Sequence, residues 1–364
     1  MYIVSFCSLL TLLLTFLESW NKASKGMMIG FIIITFLGMI HYDYGNDYMP
    51  YYDLYKQITS YTFNYEAIID KQYYREAGWV LLSFFFKPIG GFFMMVAVLN
   101  IIQNIIVYKF IRDNVNKRWW TFSVFVYLFV TSYYLMSFSM MRQMFVVIVF
   151  LGMWRFIQQR NWWIPLVVIY ICSYIHSSAI VLLPFAFWGF IPVNNAKYVG
   201  IGYVVLLGGL WMFGNTLNDI FQFALSIDED FKQYADTYEN DDNTLKLGFG
   251  FLINMIPFAL SIKYLLSKEK NDWQKKSLVA IAAISFLITP FSQIIRLVSR
   301  IGSYFGIFSI ATLPLIYGNI KKKGIRNILL ILYILIVMYD YYLFFTDSVF
   351  AEKYSTFHTI FLAN

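Results

Sequence analysis

Long apolar runs alternate along this chain with short polar connectors, and the runs have the length a lipid bilayer demands of a helix. Stretches of roughly 20 apolar residues mark spanning helices. The pattern predicts them at 2–18, 27–42, 89–111, 119–137, 140–157, 161–175, 178–191, 198–216, 247–267, 277–295, 301–318 and 327–345. Two of these, 161–175 and 178–191, are short and flank "IHSS", which predicts a helical hairpin turning around His176. The segment "EAGWVLLSFFFKPIGG", ahead of the third run, reads as an interfacial helix within an outer loop, 43–88. The expectation is an all-α polytopic integral membrane protein of about 11–12 transmembrane helices, a single transmembrane domain over 1–364.

Composition agrees. Apolar residues make up 59% of the 364 and charged residues only 13%, with mean hydropathy +0.60, against roughly a quarter charged in a soluble domain. So few charges cannot cover a water-facing surface. Cys7 and Cys172 lie far apart within apolar runs, a spacing that suits neither a disulfide framework nor a metal site. With three histidines and no Cys/His cluster, no metal and no cofactor are expected. The opening "MYIVSFCSLLTLLLTFLESW" lacks a basic leader and a small-residue cleavage site, and is read as a retained span.

The formal charge of +7 matters through its placement. The basic residues sit in connectors, which argues against nucleic acid and for topology. If 19–26 is cytoplasmic, alternate connectors collect 18 of the 28 Lys and Arg against four acids; the other side holds 10 basic and 17 acidic residues, mostly in 43–88 and 217–246. Positive charge gathers inside, so both termini are expected outside, and with them the stretch "HYDYGNDYMPYYDLY" at 41–55.

Several polar residues stand where lipid would penalise them. Glu76, Arg142, His176, Arg296 and Arg300 lie within or beside apolar runs, near their outer ends. A charge at membrane depth costs several kcal/mol unless paired or wet. With Asp43, Asp47 and Asp53 they are candidates to line one outward cavity. Each has a plainer reading. Asp47 and Asp53 suit loop acids or helix caps, and Glu76 suits an N-cap favoured by the helix dipole. Arg142, beside Gln143, suits snorkelling to headgroups. His176 suits a hydrogen-bond donor at a helix break. Arg296 and Arg300, four apart on one helical face, want an anion between them, either lipid headgroups or a pyrophosphate. Tyr42, Tyr44, Tyr48, Tyr51, Tyr52 and Tyr55 are denser than an interfacial belt requires, and aromatic faces stack on sugars.

The order of these motifs resembles the EpsG family of Wzy-like bacterial polysaccharide polymerases. "YGNDYMPYYDLY" resembles the family's G-T-D-Y-x-x-Y element, and "EAGWVLLSFFFK" its Glu-led segment. "SFSMMRQMFVVIV" is similar to its R-Q element, "IHSSAIVLLPF" to its H-x-S-A element and "RIGSYFGIFSIATLPLIY" to its late R-x-x-x-Y element. The matches fall in family order over roughly 40–318. Two departures stand out: His41 occupies the place of a common arginine, and Asn46 replaces the threonine. Any anion-binding role of that arginine passes here to His41 or Arg75.

The resemblance implies a GT-C-like membrane glycosyltransferase of O-antigen, exopolysaccharide or capsule biosynthesis. Such enzymes join undecaprenyl-pyrophosphate-linked repeat units at the outer face of the bacterial cytoplasmic membrane. The partners implied are the lipid-linked oligosaccharide donor and acceptor, membrane lipid, and a chain-length regulator protein. An acceptor hydroxyl must attack an anomeric carbon, for which His176, Glu76 or Asp47 is the candidate base. The pyrophosphate leaving group needs fixed cations, for which Arg142, Arg296 and Arg300 are candidates. Tyr48, Tyr51, Tyr52, Gln143 and Tyr304 are the glycan-binding candidates. Three rivals stand beside it: a lipid-linked oligosaccharide flippase, a related ligase or acyltransferase, and a non-catalytic assembly or chain-length partner, the last disfavoured by the Arg and His placed in apolar runs. The acidic loop 217–246, with Ile220, Phe223, Ala224, Ile227 and Phe231 in helical register, is either a cover for the cavity or a solvated connector.

Overall fold

The structure, a computed structural model, describes residues 2–195, 198–205, 208, 249–267, 272–289, 296–346 and 349–362, without the side chains of 249–253, 296–299 and 362. The acidic loop 217–246 lies outside the described residues. The protein is an all-α polytopic membrane protein, and the described residues divide between two compact units, 1–191 with 309–364, and 192–308.

The first unit begins with α1 (Tyr2–Ser19) packed along α2 (Gly26–Ile40). In lipid, close helix contact relies on small residues and on polar groups satisfied across the interface. Thr11 does both: it packs on Gly30, and its Oγ1 donates to the Gly30 carbonyl at 3.0 Å. The other face of α1, with Phe6, Leu9 and Leu13, is exposed to the bilayer.

A two-residue strand, β1 (His41–Tyr42), follows α2. The following segment forms α3 (Tyr48–Ser60), the short α4 (Tyr65–Ile69) and α5 (Ala77–Phe86), a helix where the sequence predicted one. α6 (Gly91–Asn114) runs through the core, where buried Asn104 accepts a hydrogen bond from the Tyr127 hydroxyl at 3.0 Å. α9 (Met141–Gly152) and α10 (Trp154–Gln158) continue beside it.

Four described helices have the length and apolarity of a span, and a fifth arises if the broken pair Arg300–Gly306 and Ser309–Gly318 counts as one. Several expected spans differ in form. The run 119–137 is divided: α7 (Trp120–Phe129) stops where Val130 turns extended, and α8 (Met136–Ser139) follows a turn rich in Thr, Ser and Tyr. The run 178–191 is a 3-10 helix, Ser177–Phe190, with Pro184 inside it. At about 2.0 Å rise per residue those 14 residues reach about 28 Å, close to the hydrocarbon thickness. Together with α11 (Trp163–Ser173) it makes the hairpin, with His176 at the turn.

Hydrogen bonds tie the basic connectors together at one end of this unit. Lys117 Nζ donates to Asn21 Oδ1 at 2.7 Å, and Gln158 Nε2 to Asn114 Oδ1 at 3.3 Å. At the opposite ends of the same helices lie Asp43, Asp47, Glu76 and His176.

A feature the sequence did not announce closes the polar end. After helix Lys323–Thr346, residues 349–362 fold back over the loop 41–48. Strand β2 (His358–Thr359) pairs antiparallel with β1, Lys353 bridges Asp43 at 3.2 Å, and Asn46 Nδ2 donates to the Val349 carbonyl at 3.0 Å. Fully buried Tyr354 donates to the Leu135 carbonyl at 2.8 Å.

In the second unit, helices Phe249–Leu266, Trp273–Ile288 and Arg296–Gly306 pack in sequence order. Asp272 caps the middle helix by accepting from the Lys275 N–H. The stretch 198–205 is helical, and Tyr203 donates to the Ala280 carbonyl at 2.8 Å.

Candidate active site

Glu76 is the centre of the site. It stands at the N-cap position of α5, and its backbone carbonyl does accept from the Trp79 and Val80 N–H groups. Its carboxylate caps nothing in α5. It reaches across to other segments instead, and its side chain is only 2% exposed. One oxygen, Oε2, pairs with Arg142 Nη1 at the start of α9. The other, Oε1, accepts from the Ser177 N–H at 2.9 Å and lies 3.4 Å from His176 Nδ1. Arg75 Nη2 is 3.9 Å from the same oxygen. One buried carboxylate thus joins α5, α9 and the hairpin turn.

Backbone geometry sets this junction. The Gly78 N–H donates to the Tyr174 carbonyl at 2.9 Å. A Cβ on Gly78 would sit 2.8 Å from that carbonyl group, so only glycine allows α5 to dock on the hairpin so closely. Gly45 plays the same part in the loop 41–48: its φ of +112° is open only to glycine, and a Cβ would strike the Phe138 carbonyl.

Arg142 does not snorkel. Its side chain is 11% exposed and turned inward, and its Nη1 also donates to the Tyr74 hydroxyl at 2.8 Å. Its guanidinium lies 4.8 Å from the Tyr51 ring centre, 5.1 Å from Tyr74 and 5.8 Å from Trp79. Aromatic faces attract a cation, more so where water is excluded. The cation is therefore held by one carboxylate and three rings.

Burial alone would raise the Glu76 pKa. The His176 ring, the Arg142 charge and the Ser177 N–H outweigh it and bring the carboxyl down to about 2. A carboxylate so held is a weak base, so the structure gives Glu76 the role of an anchor. Because the folded pKa is depressed, its stabilisation is fully present above the ordinary carboxyl range and is lost as pH falls through about 2. Purified protein taken to about pH 4, near the ordinary carboxyl pKa, should keep Glu76 ionised. An infrared band for a protonated carboxyl at that pH, absent from Glu76→Gln, would contradict this.

Asp47 belongs to a different contact. It stands at the N-cap position of α3 and is joined to Ser139, whose Oγ donates to Asp47 Oδ2 at 3.2 Å. Tyr51, one turn further on, connects that loop to Arg142. Asp53 is exposed beside Lys56 at 3.9 Å, a surface pair worth little. Asp43 is engaged by Lys353. His41 is fully buried: burial pushes its pKa down to about 4, the Gly38 carbonyl on Nδ1 only partly opposing this. It is neutral near pH 7 and cannot take over an arginine's role; of the two replacements the sequence offered, only Arg75 is a cation near the site.

The glycan candidates divide. Tyr51 and Tyr52 are half-buried, and Tyr52 stacks on Phe93 and carries Lys56 3.9 Å above its ring. Tyr48 and Tyr304 are fully buried, the first in the core of α3, α5 and α6, the second within the other unit, so neither offers a face to a sugar. Gln143 is 3% exposed. Tyr48 packs beneath His41 and Phe92, and its hydroxyl has no hydrogen-bond partner among the described residues. Tyr48→Phe should therefore leave both thermal stability and activity near wild type, within about 0.5 kcal/mol; a clear loss of activity would restore the hydroxyl to the site.

Arg296 and Arg300 lie on helix Arg296–Gly306 of the second unit, where the Arg300 carbonyl accepts from Ser303 Oγ. The side chain of Arg296 is outside the described residues. Tyr74, Trp79 and Ser177 were missed by sequence reasoning. A weak signal existed, since Trp79 lies three residues after Glu76, on the same helical face. No group of three or more His, Cys, Asp or Glu suited to a metal occurs among the described residues.

An all-α membrane chain whose first unit carries basic connectors at one end and a buried Glu–Arg–His cluster at the other defines a class of integral membrane protein with a buried polar site. The chain belongs to the EpsG family, whose profile matches residues 26–357, nearly its whole length. This is a bacterial family of Wzy-like, polysaccharide-polymerase-type membrane proteins. No curated protein and no solved structure is significantly similar to the chain.

Proposed function

We propose that the protein is a membrane glycosyltransferase that polymerises undecaprenyl-pyrophosphate-linked repeat units at the outer face of the bacterial inner membrane. The observation that carries this reading is the Glu76–Arg142–His176 cluster, at the end of the first unit opposite the basic connectors. An acceptor hydroxyl attacks the anomeric carbon of the lipid-linked glycan. The new glycosidic bond forms as the bond to the pyrophosphate oxygen breaks, and the hydroxyl proton passes to a base. His176 is the base, because Glu76 is spoken for by Arg142 and Ser177 and because a carboxylate beside an imidazole orients the ring. Arg75, with Arg142 behind it, supplies positive charge for the departing pyrophosphate.

The test is purified protein in detergent with a synthetic polyprenyl-pyrophosphate repeat unit, products resolved by mass. A ladder of repeat-unit adducts is expected. No ladder with several repeat-unit lipids, together with faster transbilayer movement of those lipids in liposomes, would replace the polymerase by a flippase.

A further inference from the structure

An apolar groove of about 1020 Å³ opens beside the Glu76 cluster, between α5, the loop after α3 and the end of α11. Its walls include Phe63, Leu81, Phe84, Phe85 and Ile171, and of these Phe63, Leu81, Phe85 and Ile171 are exposed. One end is marked by Lys87, whose ammonium donates to the Thr59 carbonyl at 2.6 Å. The other end is lined by Gly78, Tyr174 and Ile175. Gly78 follows Glu76 by two residues and Ile175 directly precedes His176, and the two stretches are hydrogen-bonded through Gly78 N–H and the Tyr174 carbonyl. Groove and ion cluster therefore share a wall.

We propose that this groove holds the isoprenoid chain of the lipid-linked donor, with the diphosphate at the Gly78–Ile175 end, beside Arg75 and His176. The inference rests on the reading above for the donor's class, and adds where its tail lies and how it is selected. A single apolar channel whose end adjoins the Arg75 cation fits an amphiphile with one chain and a strongly anionic head. A diacyl phospholipid brings two chains and a weaker charge. The exposed apolar walls on an interfacial helix let a chain enter sideways from the bilayer. The groove measures the chain, so a long-chain donor gains contacts that a short one cannot make.

Two measurements test this. The first is photolabelling of the wild-type protein with a diazirine-bearing polyprenyl pyrophosphate, followed by peptide mapping. Label is expected within 60–63, 81–87 and 171–175, displaced by polyprenyl pyrophosphate and not by phosphatidylglycerol. Label elsewhere, or equal displacement by the phospholipid, overturns the proposal. The second is Leu81→Trp, which fills the groove without touching the ion cluster. KM for the long-chain donor is expected to rise about tenfold with kcat unchanged, while a donor carrying two isoprene units keeps its KM. An equal rise for both donors overturns the selection by chain. A labelled groove with no polymer ladder removes the polymerase reading and leaves the groove, and a ladder with label elsewhere does the reverse.

Discussion

Replacing Glu76 by alanine is expected to abolish polymer formation and to lower stability together. The substitution leaves the Arg142 cation buried among Tyr51, Tyr74 and Trp79 without its carboxylate, and strips the Ser177 N–H of its acceptor. Breaking a buried pair from one side costs about 3–5 kcal/mol, because the surviving charge stays out of water. The hairpin turn loses its anchor as well, so His176 is no longer held. The distinguishing variant is the double substitution Glu76→Ala with Arg142→Leu. Removing both charges should recover a good part of the thermal stability and none of the activity. Recovery of activity in the double variant would show that the pair only holds the fold.

His176→Ala carries the second large effect, and it should separate catalysis from folding. His176 is on the turn rather than inside a packed helix, and the turn's backbone bonds, His176 N–H to the Cys172 carbonyl and Ala179 N–H to the His176 carbonyl, do not need the ring. Losing a general base costs about a hundred- to ten-thousand-fold in rate. The expected result is kcat down by that range, KM for the donor little changed, and thermal denaturation within about 1 kcal/mol of wild type. His176→Gln, which keeps a hydrogen-bonding side chain but no titratable nitrogen, should be equally slow. A rate within tenfold of wild type in both variants would move the base elsewhere, with Asp47 next in line.

The all-α membrane class is legible in the sequence, because bilayer thickness constrains the length of apolar runs so tightly. The sites of Glu76, Arg142 and His176 were legible for the same reason: each is a polar group that lipid would punish unless something paired with it. What the sequence concealed was the pairing. Glu76 looked like a helix cap and Arg142 like a headgroup contact, since both explanations use only neighbours in sequence. Their true partners are 66 residues apart in the chain, a separation no local pattern reports. Tyr48 misled for the opposite reason. It matches the family element and sits in an aromatic cluster, yet its own face of α3 turns to the core. The broken run 119–137 is similar, for hydropathy counts apolar residues and is blind to the turn that brings Ser139 to Asp47.

The strap formed by residues 349–362 has a consequence for how the protein is made. The loop 41–48 emerges early from the ribosome, directly after the first two helices. Three of its fixings, the pairing of β1, the bridge to Asp43 and the bond from Asn46, come from residues more than three hundred positions later. Through the whole of insertion that loop must wait in an unfinished form. That end of the first unit is thus completed last, and a nascent chain arrested before residue 349 would carry the unit's helices up to Thr346 while the loop 41–48 still lacked its lock.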